Sequence, residues 1–185
     1  MKIEQTRRTF AWIAGGAALM LAGIAAWLYL SPGRPAIAAP ALQPVSVSYP
    51  APALQLTALD GTPVSLQDHR DQVVLLNLWA TWCPPCKAEM PALQAFYDLH
   101  GDEGFVVIAV NDGESERDVS DFVIAQGLTF AVWLDPEHAA ARDAFRTLKL
   151  PSSFVIDRLG LVRLYWVGGA RPPFLEQYVL PIIQE

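Results

Sequence analysis

Val73-Val74-Leu75-Leu76-Asn77-Leu78-Trp79-Ala80-Thr81-Trp82-Cys83-Pro84-Pro85-Cys86 is the stretch on which the reading of the whole chain turns. Its first seven residues form an apolar run rich in branched side chains, too short for a helix and bounded by polar punctuation. Val73–Trp79 therefore reads as a strand buried on both faces. Beyond it the period changes. Cys86, Glu89, Met90, Leu93, Phe96 and Tyr97 recur at helical spacing and predict a helix over about 84–100. A Cys-x-x-Cys pair set between a buried strand and a helix start is the context of a redox motif.

The spacing assigns the two sulfurs different work. Cys83 falls at the N-cap, where the partial positive charge of the helix end favours a thiolate, the attacking species in disulfide exchange. Cys86, one turn inside and less exposed, is placed to attack the mixed disulfide formed on Cys83 and so resolve it. Pro84 and Pro85 suit the first turn of a helix but carry no N–H, leaving the Cys86 N–H as the one well-placed early donor to the Cys83 sulfur. A thiolate stabilised by so few donors makes the dithiol a better electron donor, so the expected direction is reduction of a partner.

Composition narrows the alternatives. The 185-residue chain has two cysteines, so no other pair is available for a disulfide framework. Zinc is disfavoured because there is no second Cys-x-x-Cys and His69, His100 and His138 lack paired ligand spacing. The expected chemistry uses no metal and no cofactor. Copper handling stays open as an alternative, since a thiol pair binds Cu(I), as does a general disulfide oxidant. A thiol peroxidase would want a hydroxyl residue three before its reactive cysteine, where Ala80 stands. The formal charge of −6 with no basic patch excludes a nucleic-acid binder.

Toward the amino end, residues 10–30 carry neither charge nor proline. At about 1.5 Å per residue such a run crosses a hydrocarbon core of about 30 Å. Lys2, Arg7 and Arg8 precede it, so residues 1–9 are expected in the cytoplasm and everything after Leu30 outside. The expectation is a single-pass inner-membrane anchor, or uncleaved signal, with the catalytic part in the periplasm. Thr6-Arg7-Arg8-Thr9-Phe10 also has the look of a twin-arginine export signal, and Ala36-Ile37-Ala38 that of a signal-peptidase site. Residues 31–52, rich in Pro and Ala, read as a tether, and 53–185 as the folded domain.

Toward the carboxyl end, Leu54–Ala58 and Pro63–Leu66 form a hairpin about Asp60-Gly61. Phe105–Val110 reads as a strand, Ser115–Gln126 as a helix stopped by Gly127, and Phe130–Leu134 as a strand. Pro136–Leu148 reads as a helix, Ser152–Ile156 and Leu161–Val167 as an antiparallel pair, and Pro172–Ile183 as a closing helix. This alternation implies a three-layer α/β/α domain about a mixed sheet, with helices on both faces. Glu89 lies on the stripe of Leu93 and Phe96, so burial would raise its pKa and suit it to proton exchange with Cys86. The competing reading is a carboxylate reaching solvent near a helix start. Trp79 reads as core packing and Trp82 as a surface residue beside the sulfurs.

From about Leu54 to Val179 the chain resembles the TlpA/ResA-like branch of the thioredoxin superfamily. The resemblance rests on the opening stretch, on Glu89-Met90-Pro91, on Leu134-Asp135 and on Pro151-Ser152-Ser153-Phe154-Val155-Ile156-Asp157. It implies a thioredoxin-like fold with an added amino-terminal hairpin and an inserted helix, a cis Pro151 facing the cysteines, and Glu89 as the characteristic acid. Asn77 stands where thioredoxin has a buried aspartate, which transfers the proton role to Glu89. The resemblance further implies periplasmic protein disulfides as substrates, including those of apocytochrome c and copper-site proteins, and a membrane electron donor of the DsbD/CcdA type. The segment before Pro151 lacks the glycine often found there and departs from the Gly-x-Pro-Glu-Thr form of the dedicated cytochrome-maturation member.

Overall fold

In the computed structural model, which describes Met20, Gly23, Trp27 and residues 43–185, the elements follow in alternation. They are β1 (Val45–Pro50), β2 (Gln55–Ala58), β3 (Pro63–Ser65), β4 (Val73–Trp79), α1 (Pro84–His100), β5 (Phe105–Asp112), α2 (Glu116–Gln126), β6 (Ala131–Asp135), β7 (Ser152–Ile156), β8 (Leu161–Val167), α3 (Pro172–Tyr178) and α4 (Leu180–Ile183). All eight strands belong to one sheet in the order β1-β8-β7-β4-β5-β6-β2-β3. The sheet is mixed: β4 pairs parallel with β5 and antiparallel with β7.

Every residue of β4 is buried, Asn77 included, as a central strand with apolar side chains on both faces requires. Alternate side chains serve opposite faces. Val73, Leu75 and Trp79 join Met90, Leu93 and Phe96 of α1, Val119 of α2, Leu175 of α3 and Ile183 of α4. Val74, Leu76 and Leu78 join Leu54, Leu66, Phe145 and Phe154. Full burial of such a side chain contributes roughly 1.5–3 kcal/mol. The two faces are covered unequally. Helices α1 to α4 lie on the first, whereas the second is closed by connecting segments, a 3₁₀ turn at Leu66–His69 and a π turn at Ala139–Ala144.

The second face corrects the helix expected over 136–148. Asp135 accepts hydrogen bonds from the Ala139 and Ala140 N–H groups at 2.8 Å, and His138 takes a left-handed conformation, φ 61°. The chain thus starts to wind only at Ala139. It unwinds again at Arg146, φ 51°. The closing helix is also divided, because Pro181 has no N–H to continue the ladder, and α3 ends before α4 begins.

A third correction concerns the tether. Val45–Pro50 lies within 31–52 yet forms an edge strand against β8. The alternation Val45-Ser46-Val47-Ser48-Tyr49 is a strand pattern that the surrounding prolines and alanines obscure. The hairpin about Asp60-Gly61 is present, with Gly61 at φ 86°, and β2 joins the sheet through β6. The chain divides into two units, 1–41 and 42–185. Among the described residues no helix is long and apolar enough to cross a membrane. The expected amino-terminal region 1–9 lies outside the described residues, and so does the span 10–30 apart from Met20, Gly23 and Trp27.

Candidate active site

Strand β4 delivers Cys83 to the carboxyl-terminal end of the sheet, where open α/β sheets carry their sites. Ala80 to Trp82 form the turn, closed by Cys83 N–H donating to the Ala80 carbonyl at 3.2 Å. Cys83 is the N-cap of α1, in extended conformation, and its sulfur accepts from the Cys86 N–H at 3.3 Å. Pro84 and Pro85 occupy the first turn and donate nothing. The pair is present as a Cys83–Cys86 disulfide. Cys83 retains 4% of its surface and Cys86 none, so an approaching thiolate finds Cys83 first. Trp82 is 65% exposed beside them, while Trp79 is fully buried against Phe122.

Glu89 lies one turn beyond Cys86 on the inner stripe of α1 and is buried. One carboxylate oxygen accepts from the Asn77 amide and the other from the Ala170 N–H, both at 2.8 Å. Burial pushes its pKa up from 4.5 to about 7, against the lowering effect of those two hydrogen bonds. Asn77 also donates to the Ser153 hydroxyl at 2.9 Å, while its Oδ1 has no partner. Ser153 faces Asn77 across the β4–β7 pairing. The buried Glu89 carboxyl is thereby tied to β4, the strand that leads into the cysteine turn, and to the loop after β8. That loop passes close: a Cβ on Gly169 would stand 3.2 Å from the Pro85 carbonyl oxygen.

Pro151 is buried and its bond to Leu150 is cis. The register Leu78↔Ser152 brings it to the end of β4 that leads into the cysteine turn. Its carbonyl accepts from the Gly168 N–H at 2.9 Å, two residues before the N–H that binds Glu89. Among the described residues no group of three metal-ligating side chains occurs.

Sequence reasoning did not anticipate Glu114. Its carboxylate accepts from the Thr81 N–H at 2.6 Å, from the Thr81 hydroxyl, and from the buried Asn111 amide at 2.7 Å. It clamps the turn two residues ahead of Cys83 to the loop after β5. The available signal was Asn111-Asp112-Gly113-Glu114, a polar run at the carboxyl end of a buried strand.

Residues 47–165 match the AhpC/TSA family. The thiol-disulfide oxidoreductase ResA of Geobacillus kaustophilus is 35% identical over 135 residues, covering 73% of this chain and 77% of that protein. The thioredoxin-like protein YneN of Bacillus subtilis is 32% identical over 170 residues, 90% of this chain and 95% of the relative. Among solved structures, a thiol:disulfide interchange protein of the thioredoxin family from Chlorobium tepidum superposes with a TM-score of 0.66 at 26% identity, covering 75% of this chain and 99% of that one. With its cysteine pair at the mouth of α1 and its buried acid behind it, the chain belongs to the AhpC/TSA family and is a ResA-like thiol-disulfide oxidoreductase of thioredoxin fold.

Proposed function

We propose that the protein is a reductant of protein disulfides, anchored in the bacterial inner membrane by residues 10–30 with its catalytic domain in the periplasm. The observation that carries the direction is the poverty of donors around Cys83: one backbone N–H at 3.3 Å, with two prolines beside it. A weakly stabilised thiolate favours the disulfide form of the enzyme and hence electron donation.

In the dithiol form Cys83 thiolate attacks one sulfur of a client disulfide, forming a mixed disulfide and expelling a client thiolate. Cys86 then gives its proton to Glu89 and attacks the Cys83 sulfur. The second client thiolate leaves, and the Cys83–Cys86 bond closes. Two electrons pass to the client, and its two sulfurs each take a proton. A carboxyl with pKa about 7 is matched to accepting and returning that proton near neutral pH. A membrane donor of the DsbD/CcdA type would regenerate the dithiol. Cysteines awaiting haem or copper in exported proteins are the client class that the resemblance implies. The uncharged run 10–30 behind Lys2, Arg7 and Arg8 supports the anchor and its orientation.

Equilibration with glutathione or dithiothreitol tests the direction. The expected potential lies near or below about −270 mV, the thioredoxin range, and one near about −120 mV, that of a strong oxidant, would overturn it. Cell fractionation tests the anchor: the full-length chain should sediment with the inner membrane, and a soluble species starting near Ala39 would refute it.

A further inference from the structure

We propose that the groove below the Pro151 loop is a docking subsite for an acidic, aromatic-bearing segment adjoining the client cysteine. This deepens the reductase reading and rests on it. The groove is a cavity of about 490 Å³ on the sheet face away from α1. Its floor is aromatic: Phe145 packs on Phe154 with ring centres 4.3 Å apart, Phe154 stacks on Tyr165 at 6.1 Å, and Tyr49 of the edge strand completes it. Arg146 and Lys149 line it from the segment that leads into Pro151, and no Asp or Glu does. Both side chains are exposed and, among the described residues, neither has an ion-pair partner, whereas Arg142 and Arg163 are both paired. Leu148, which lies between them in sequence and also lines the groove, is 86% exposed.

In a chain of net charge −6, two unspent cations over an aromatic floor select for an anionic partner carrying a ring. Position ties the groove to the chemistry. Ser152, which lines it, adjoins Pro151 and pairs with Leu78, two residues before the cysteine turn starts at Ala80. Pro151 thus stands between the cysteine end of the sheet and the groove-lining Ser152, and an extended client running along it is directed toward the groove.

Three disulfides test this with dithiothreitol as electron source: the uncharged 2-hydroxyethyl disulfide and two disulfide-linked peptides whose cysteine is followed by Asp-Glu-Phe or by Lys-Lys-Phe. In the wild type KM for the acidic peptide should be about fivefold below that for the basic one, the worth of two exposed ion pairs. The preference should vanish in Arg146→Gln/Lys149→Gln and reverse in Arg146→Glu/Lys149→Glu, with 2-hydroxyethyl disulfide turnover unchanged in both. A fluorescent acidic peptide with Ser for Cys, titrated by anisotropy, reads the groove without any redox step and should bind the wild type more tightly than either variant. Equal affinity for wild type and variants, or a peptide preference that survives both double substitutions, overturns the subsite. Failure to reduce any of the three disulfides, with anisotropy behaving as expected, strikes the reductase reading and leaves the subsite standing.

Discussion

Replacing Glu89 by Gln is expected to stabilise the protein above neutral pH while slowing its chemistry. Burial raises the carboxyl from 4.5 to about 7, so between those values the folded chain holds a proton that the unfolded chain has released. The stability due to the protonated form is complete below pH 4.5 and is lost as pH rises through about 7. At about 1.4 kcal/mol per pKa unit, the ionised group costs the fold on the order of 3 kcal/mol on the alkaline side. Gln keeps the shape and one acceptor, and its amide nitrogen would face the Asn77 amide nitrogen. A half-turn of Asn77 relieves that clash, because Asn77 Oδ1 has no other partner. Denaturant titrations at intervals from about pH 4 to pH 9 are the assay. Wild-type stability should fall across the window while that of Glu89→Gln stays flat, the two converging in acid. Insulin reduction by the variant should fall on the order of 100-fold, the scale of a lost general acid–base group. Parallel pH profiles for the two proteins would refute the reasoning.

Substitutions at three further positions probe the surroundings. Glu114→Ala strips the acceptor from the Thr81 N–H and the Asn111 amide, and should cost roughly 1–3 kcal/mol in thermal unfolding and slow alkylation of Cys83 in the dithiol form. Glu114→Gln should restore most of both, because its amide oxygen still accepts. Gly113→Ala puts a side chain on a residue at φ 81° whose Cβ would overlap His138 Cε1, and should lower the denaturant midpoint by the equivalent of about 1–3 kcal/mol. Asn77→Asp sets a second carboxyl against Glu89, where 2.8 Å separates the present partners. The pair should then take up a proton above pH 7, visible by NMR titration, and an unchanged Glu89 titration would count against the contact.

What the sequence made legible follows from how local each signal was. The doubly buried β4, the helix behind the cysteines and the Asp60-Gly61 hairpin depend on periodicity and turn chemistry within a dozen residues, and each appears where its pattern placed it. The segment 136–148 has helix-like composition but folds otherwise, because Asp135 captures the first free N–H groups and His138 reverses the backbone. Strand β1 was hidden by its neighbours, since its pairing partner β8 lies more than a hundred residues away. The same division runs through the site. Cys83 caps the helix that carries Cys86 and Glu89, and their spacing of three puts them on one stripe of it. Glu114, Ser153 and Ala170 come from three other segments, and only the folded chain brings the first to Thr81, the second to Asn77 and the third to Glu89. Two cations around aromatic rings 4.3–6.1 Å apart are likewise a product of strand order.

The division of labour between the sulfurs is tested most directly by mass spectrometry of Cys86→Ser mixed with a disulfide-linked peptide. The account expects one peptide to be retained as a stable mixed disulfide on Cys83, released by dithiothreitol, whereas Cys83→Ser traps far less because Cys86 has no exposed surface. Equal trapping on both variants, or an adduct only at Cys86, would contradict it.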